Sequence, residues 1–141
     1  MTRRAQELGL TQTQFENPTG LDIDIEKAGA YGSAYDVAKM TARFLSLYPG
    51  LFEATAHPAI AVSSNVQYIE ATSTAVPLQD IPGLIAAKTG YTDLAGGNLV
   101  AAVDIEVGYP LIIAVLGSTR EARFTDVKTL VHAARQELIH K

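Results

Sequence analysis

The stretch PGLIAAKTGYTDLAGGNL, Pro82 to Leu99, sets the architecture of this chain. Its apolar run Leu84 to Ala87 has the length and bounding turn residues of a buried strand. At the end of that run stand Lys88, Thr89 and Gly90: a cation, a hydroxyl and a residue with no side chain. Together they suit a carboxylate. The ammonium supplies charge, the hydroxyl donates a hydrogen bond, and glycine leaves the backbone open where any Cβ would intrude.

Two more runs rich in Val, Ile, Leu and Ala follow, Asn98 to Ile105 and Leu111 to Gly117. Asp93 to Gly97 joins the first pair, and Glu106-Val107-Gly108-Tyr109-Pro110 joins the second, so the three strands are expected as an antiparallel meander. Ser118 with Glu121 has capping-box spacing. The helix it opens reaches about Leu138 and carries Phe124, Val127, Leu130, Val131, Ala134 and Leu138 on one stripe, which packs on the sheet. The expected fold class is α/β in the α+β sense, an antiparallel sheet covered by helices.

Upstream, Thr2 to Leu8 reads as the end of a helix stopped at Gly9, and Thr11 to Gly32 as loop. Asp22, Asp24 and Glu26 alternate with Ile23 and Ile25, but Lys27 stands where a calcium loop requires glycine, so these acids are expected on a solvated edge. Ser33 caps a helix with Asp36 three residues on; Val37, Met40, Thr41, Phe44 and Leu45 share one face, and Pro49-Gly50 ends it. Ala59 to Ala71 reads as a short β excursion turning at Ser63-Ser64-Asn65. His57, His132 and His140 have no metal-ligand spacing.

The 141 residues make one domain or part of one, and 48% apolar composition supports a core. A net charge of −4 without a Lys/Arg cluster excludes a nucleic-acid surface. There is no cysteine, hence no disulfide, thiolate metal site or thiol nucleophile. The polar start MTRRAQELGL does not resemble the apolar segment of a signal peptide.

IAAKTGYTDLAGGNLVAA resembles the third conserved box of the serine D-alanyl-D-alanine carboxypeptidases, the low-molecular-mass penicillin-binding proteins. Leu8 to Leu21, Tyr31 to Ala38, and Ile112 to Gly117 followed by Arg123 resemble further stretches of the same family, in its order. The family's S-x-x-K box, which holds the nucleophile, is absent: Ser33, Ser46, Ser63, Ser64, Ser73 and Ser118 are followed three residues later by Asp36, Pro49, Val66, Gln67, Val76 and Glu121. Ser63-Ser64-Asn65 has the form of the S-x-N box, but in the family that box precedes the region of Leu8 to Leu10, so a turn is the better reading. Residues 1–141 are therefore expected to be the C-terminal part of one such catalytic domain, with the S-x-x-K and S-x-N segment upstream.

The resemblance implies part of an enzyme that trims peptidoglycan stem peptides ending in D-Ala-D-Ala, is acylated by β-lactams, works outside the cytoplasm and needs no metal or organic cofactor. Lys88 would supply charge for the terminal carboxylate, Thr89 would hydrogen-bond it, and Gly90 would let the substrate lie along the strand. The Tyr91 backbone N–H, at a position where several relatives carry His, would be an oxyanion donor. Without the nucleophile, this chain alone is expected to be inactive. Leu111 to Gly117 would be an apolar edge open to the N-terminal segment or to a second copy. The alternatives are a non-catalytic carboxylate- or peptide-binding module, a β-lactamase-related fragment, and an unrelated scaffold in which Lys88 is a strand-end lysine reaching solvent.

Overall fold

The structure, a computed structural model, describes residues 1–106 and 108–139. In chain order it contains α1 (Thr2–Glu7), β1 (Gln14–Phe15), β2 (Ala30–Tyr31), α2 (Ala34–Leu47), α3 (Pro49–Glu53), a 3-10 turn at Ala54–Ala56, and the strands β3 (Ala59–Ser63) and β4 (Tyr68–Thr72). A second 3-10 turn, Val76–Leu78, leads into β5 (Leu84–Thr92), β6 (Gly96–Glu106), β7 (Tyr109–Ser118) and α4 (Ala122–Ile139).

The expected meander is present. β5, β6 and β7 form one antiparallel sheet in that order, with Ala87 opposite Ala101, Lys88 opposite Val100 and Ala101 opposite Ile113. Alternate residues point to opposite faces, so Ala87, Leu99, Ala101, Val103 and Ile113 turn toward α4 and bury there with Val127 and Val131. Leu78 and Ile81 close the same core from the segment before β5. Full burial of a Leu or Val side chain contributes roughly 1.5–3 kcal/mol, so this layer is the main reason the sheet and α4 stay together. Gly83 makes the entry to β5 possible. Its φ of +75° is open to glycine, and a Cβ there would lie 2.3 Å from the Asp104 carbonyl oxygen.

On the opposite face, α2 packs against β7 and β6. Ser33 caps α2 as expected, its hydroxyl accepting from the Asp36 N–H at 3.1 Å. The Asp36 carboxylate does not return the bond to Ser33. It is buried and accepts from the Gln12 N–H (2.8 Å) and the Thr13 hydroxyl (2.9 Å), tying the N-terminal segment to the helix. The β3–β4 hairpin turns at Ser64, whose hydroxyl accepts from the Gln67 N–H at 2.9 Å, in keeping with a turn there.

The structure corrects five details. The Thr11 to Gly32 loop contains a ladder, Gln14 with Tyr31 and Phe15 with Ala30, too short to leave any periodicity. Pro49 does not merely end α2 but starts α3, a first-turn position where its missing N–H costs nothing. Asp24 and Glu26 are exposed as expected, but Asp22 is half-buried: it accepts from the Leu94 N–H at 3.1 Å and pins the loop to the β5–β6 turn. Leu130 is 46% exposed and leaves the α4 stripe. The cap of α4 is Thr119, whose hydroxyl accepts from the Ala122 N–H at 2.9 Å; Ser118 still belongs to β7 and its hydroxyl donates to Asp126. Val107, in the expected β6–β7 link, and His140 lie outside the described residues.

Candidate functional site

β5 is an edge strand of its sheet, and its outer side is where the candidate site residues converge. The Ala87 N–H points outward and donates to the Thr55 hydroxyl at 3.1 Å, while that hydroxyl donates to the Phe52 carbonyl at 2.6 Å. Strand parity then turns the N–H and C=O of Thr89 and Tyr91 to the same side. The Thr89 carbonyl obeys this, accepting from the Lys88 ammonium folded against it. The backbone from Thr89 to Tyr91 is thus an unpaired ladder edge with a lysine lying across it, a common device for shielding such edges.

Gly90 is exposed, and its φ is not in the left-handed region. A Cβ built on it would meet only the Asn98 Cβ, at 3.8 Å, an ordinary contact. Neither backbone strain nor internal packing therefore demands glycine at this position. A bare backbone facing the open side is what remains.

Thr89 is 9% exposed, and its hydroxyl lies 2.6 Å from the Thr74 hydroxyl. The Tyr91 ring is 40% exposed, with the Arg120 guanidinium 4.3 Å above its centroid. Two hollows share Thr74, and one of them borders the strand. One, of about 220 Å³, lies between the Ala54–Ala56 turn, the β3–β4 hairpin and β5, with Thr55, His57, Ser73, Thr74 and Lys88 in its wall. The other, of about 630 Å³, opens between the segment after β4 and the start of α4, with Thr74 in its wall and the three cations Arg120, Arg123 and Lys128 against one acid, Glu121.

The sequence named Arg123 only as part of a matching stretch; the structure brings it to the site. Arg123 is 8% exposed, and its Nη1 donates to the Gly90 carbonyl at 2.6 Å. Its Nε is buried with no partner, and among the described residues no carboxylate pairs with it. A buried guanidinium without a counter-ion is costly, and the first turn of a helix, where the dipole favours anions, is an unfavourable place for one. That position was the signal available in the sequence: a cation at the N-terminus of a core-packing helix, just after the strand that neighbours the triplet's partner. The Lys88 ammonium thus reaches the edge of β5 at the Thr89 carbonyl, while the Thr89 hydroxyl and Arg123 lie on the α4 face of the same short segment, groups whose chemistry suits an anion. His57 and His132 are exposed, and among the described residues no group of three His, Cys, Asp or Glu side chains is placed to hold a metal ion.

The model of the family described as D-alanyl-D-alanine carboxypeptidase matches residues 1–120. The D-alanyl-D-alanine carboxypeptidase DacF of Bacillus subtilis is 34% identical over 103 residues, 72% of this chain and 25% of that protein. Among solved structures, a penicillin-binding protein of Listeria monocytogenes in its cefotaxime-bound form superposes with a TM-score of 0.77 at 30% identity, over 92% of this chain and 51% of that one. A D-alanyl-D-alanine carboxypeptidase of Mycobacterium tuberculosis gives a TM-score of 0.67 at 30% identity, over 82% and 42%. The chain therefore spans a quarter of the curated relative and about half or less of these solved relatives. Such neighbours bear out the expected fold class.

Proposed function

The chain belongs to the D-alanyl-D-alanine carboxypeptidase family, and from that premise we propose that it is the C-terminal part of a serine-type catalytic domain, carrying the wall that binds the substrate. The substrate would be a peptidoglycan stem peptide ending in D-Ala-D-Ala. Its terminal carboxylate would sit against Lys88, the Thr89 hydroxyl and Arg123. Its backbone would add to the open edge of β5 as a further strand, which requires the Lys88 ammonium to leave the Thr89 carbonyl for the ligand. Gly90 would give the peptide room. The Tyr91 N–H, on the outward side, would donate to the oxyanion of the attacked carbonyl, a role whose loss typically costs about 10²–10³ in rate.

The observation that carries this reading is the buried Arg123, bound to the Gly90 carbonyl and lacking any carboxylate among the described residues. A protein-internal anion would have been the cheaper arrangement unless the guanidinium serves a ligand. β-Lactams, bound by the Listeria relative as cefotaxime and as ampicillin, would occupy the same wall in the complete enzyme. The complete enzyme would act outside the cytoplasm; among the described residues no helix is long and apolar enough to cross a membrane.

No serine here is followed three residues later by lysine, so the nucleophile would come from a segment upstream of residue 1. The purified chain is expected to release no D-alanine from a D-Ala-D-Ala peptide. Release at a rate proportional to protein, retained after every contaminating hydrolase is removed, would overturn the fragment reading. The same missing box also favours a second reading, a non-catalytic carboxylate-binding module. It differs in requiring tight peptide binding by residues 1–141 alone.

A further inference from the structure

We propose that Thr74 is a positioning residue of the carboxylate site, its hydroxyl donating to Thr89 so that the Thr89 proton is turned toward the ligand. This rests on the reading of Lys88 to Gly90 given above. Thr74 lies on the link between β4 and the Val76–Leu78 turn, 15 residues before Thr89, yet the two hydroxyl oxygens are 2.6 Å apart. Thr74 is exposed, whereas Thr89 is 9% exposed. Thr74 also borders both hollows, the one beside Lys88 and the one beside Arg123. Thr74 is therefore common to the two hollows that hold these cations, and its hydroxyl is in contact with the threonine assigned to the ligand.

A threonine hydroxyl carries one proton and accepts through its lone pairs. In the free site either oxygen can donate to the other. A carboxylate only accepts. Once Thr89 donates to it, the hydrogen bond between the threonines can survive only in one direction, from Thr74 to Thr89. Ligand binding thus selects a relay in which the first donation strengthens the second.

The link is held where this needs it. The Ser73 hydroxyl accepts from the Ala75 N–H at 3.1 Å and donates to the Thr55 carbonyl at 3.4 Å. The Thr55 hydroxyl holds the Ala87 N–H of β5. Segment and strand are therefore tied through Thr55 just before the threonine pair, at Ser73 and at Ala87. A threonine that only satisfied a half-hidden neighbour would need no such registration.

The test is equilibrium dialysis of the chain against labelled acetyl-D-alanyl-D-alanine and its C-terminal carboxamide, with methyl NMR of Thr89 to read its side-chain rotamer. Thr74→Val, which keeps the shape and removes the hydroxyl, is expected to weaken carboxylate binding about three- to tenfold, the usual range for one lost hydrogen bond, and to leave carboxamide binding unchanged. Thr74→Ser is expected to restore wild-type affinity. Thr89→Val combined with Thr74→Val should lose no more than Thr89→Val alone. In the free protein Thr89 should hold one rotamer, and Thr74→Val should release it.

Thr74→Val binding the carboxylate like wild type, while Lys88→Ala and Thr89→Val lose affinity, would overturn the positioning role and leave the site standing. Equal weakening for carboxylate and carboxamide would also overturn it, as general structural damage. Carboxylate binding unaffected by Lys88→Ala and Thr89→Val would overturn the site and this inference together. So would a wild-type chain that binds neither peptide. A Thr89 rotamer already averaged in the free wild-type protein would overturn the relay without reference to any ligand.

Discussion

Arg123 and Gly90 each yield a prediction at the scale of the single residue. Removing the Arg123 charge gives up its hydrogen bond to the Gly90 carbonyl and its stacking on Phe124, but relieves a cation buried in a first helical turn with no carboxylate partner among the described residues. Arg123→Met is expected to leave the melting temperature unchanged or raised, while abolishing preference for a carboxylate ligand; calorimetric melting and peptide titration read the two effects separately. Gly90→Ala should likewise preserve or slightly raise stability, since its Cβ meets only Asn98 and strand glycines are roughly 0.5–1 kcal/mol worse than alanine. Binding of the peptide should nonetheless fall about tenfold or more, by steric exclusion at the strand edge; unchanged binding would mean that no ligand backbone approaches there. Lys88, Thr89 and Gly90 were legible because three chemically complementary types stand in a row on a strand. Arg123 was less so: its place at the start of a core-packing helix is a weak local signal, and only its burial and its bond to the Gly90 carbonyl bring it to the site.

At the scale of elements, the long strands and α2 were legible from β-branched runs and from the Ser33 cap, where local preference and tertiary packing agree. Where two local signals compete, the sequence does not choose. Ser118 and Glu121 have capping-box spacing, but β7 extends through Ser118 and Asp126 takes its hydroxyl, so the cap passes to the next residue, Thr119. Thr119→Ala is therefore expected to cost about 0.5–2 kcal/mol in denaturant unfolding, with Glu121→Gln close to neutral. The reverse order would restore the Ser118 box. β1 and β2 were illegible for a different reason: two residues pair only because Asp36 gathers the N-terminal segment 23 and 24 residues away, a long-range bond with no local trace.

For the molecule as a whole, the sheet ends at β7, whose apolar residues are covered by α2 and α4 while its outer ladder meets no further strand among the described residues. An unpaired edge of this kind invites pairing with another copy. Light scattering is expected to give a mass that rises with concentration, and a monomer at every concentration with one cooperative melt would contradict an open edge. The most direct measurement is a titration of this chain, wild type and Lys88→Ala, with acetyl-D-alanyl-D-alanine and with its C-terminal carboxamide at fixed ionic strength. A wild-type preference for the carboxylate of about tenfold or more, erased by Lys88→Ala, is the expected result. Equal affinity for the two peptides, unchanged by the substitution, would mean that the edge of β5 is not a carboxylate site.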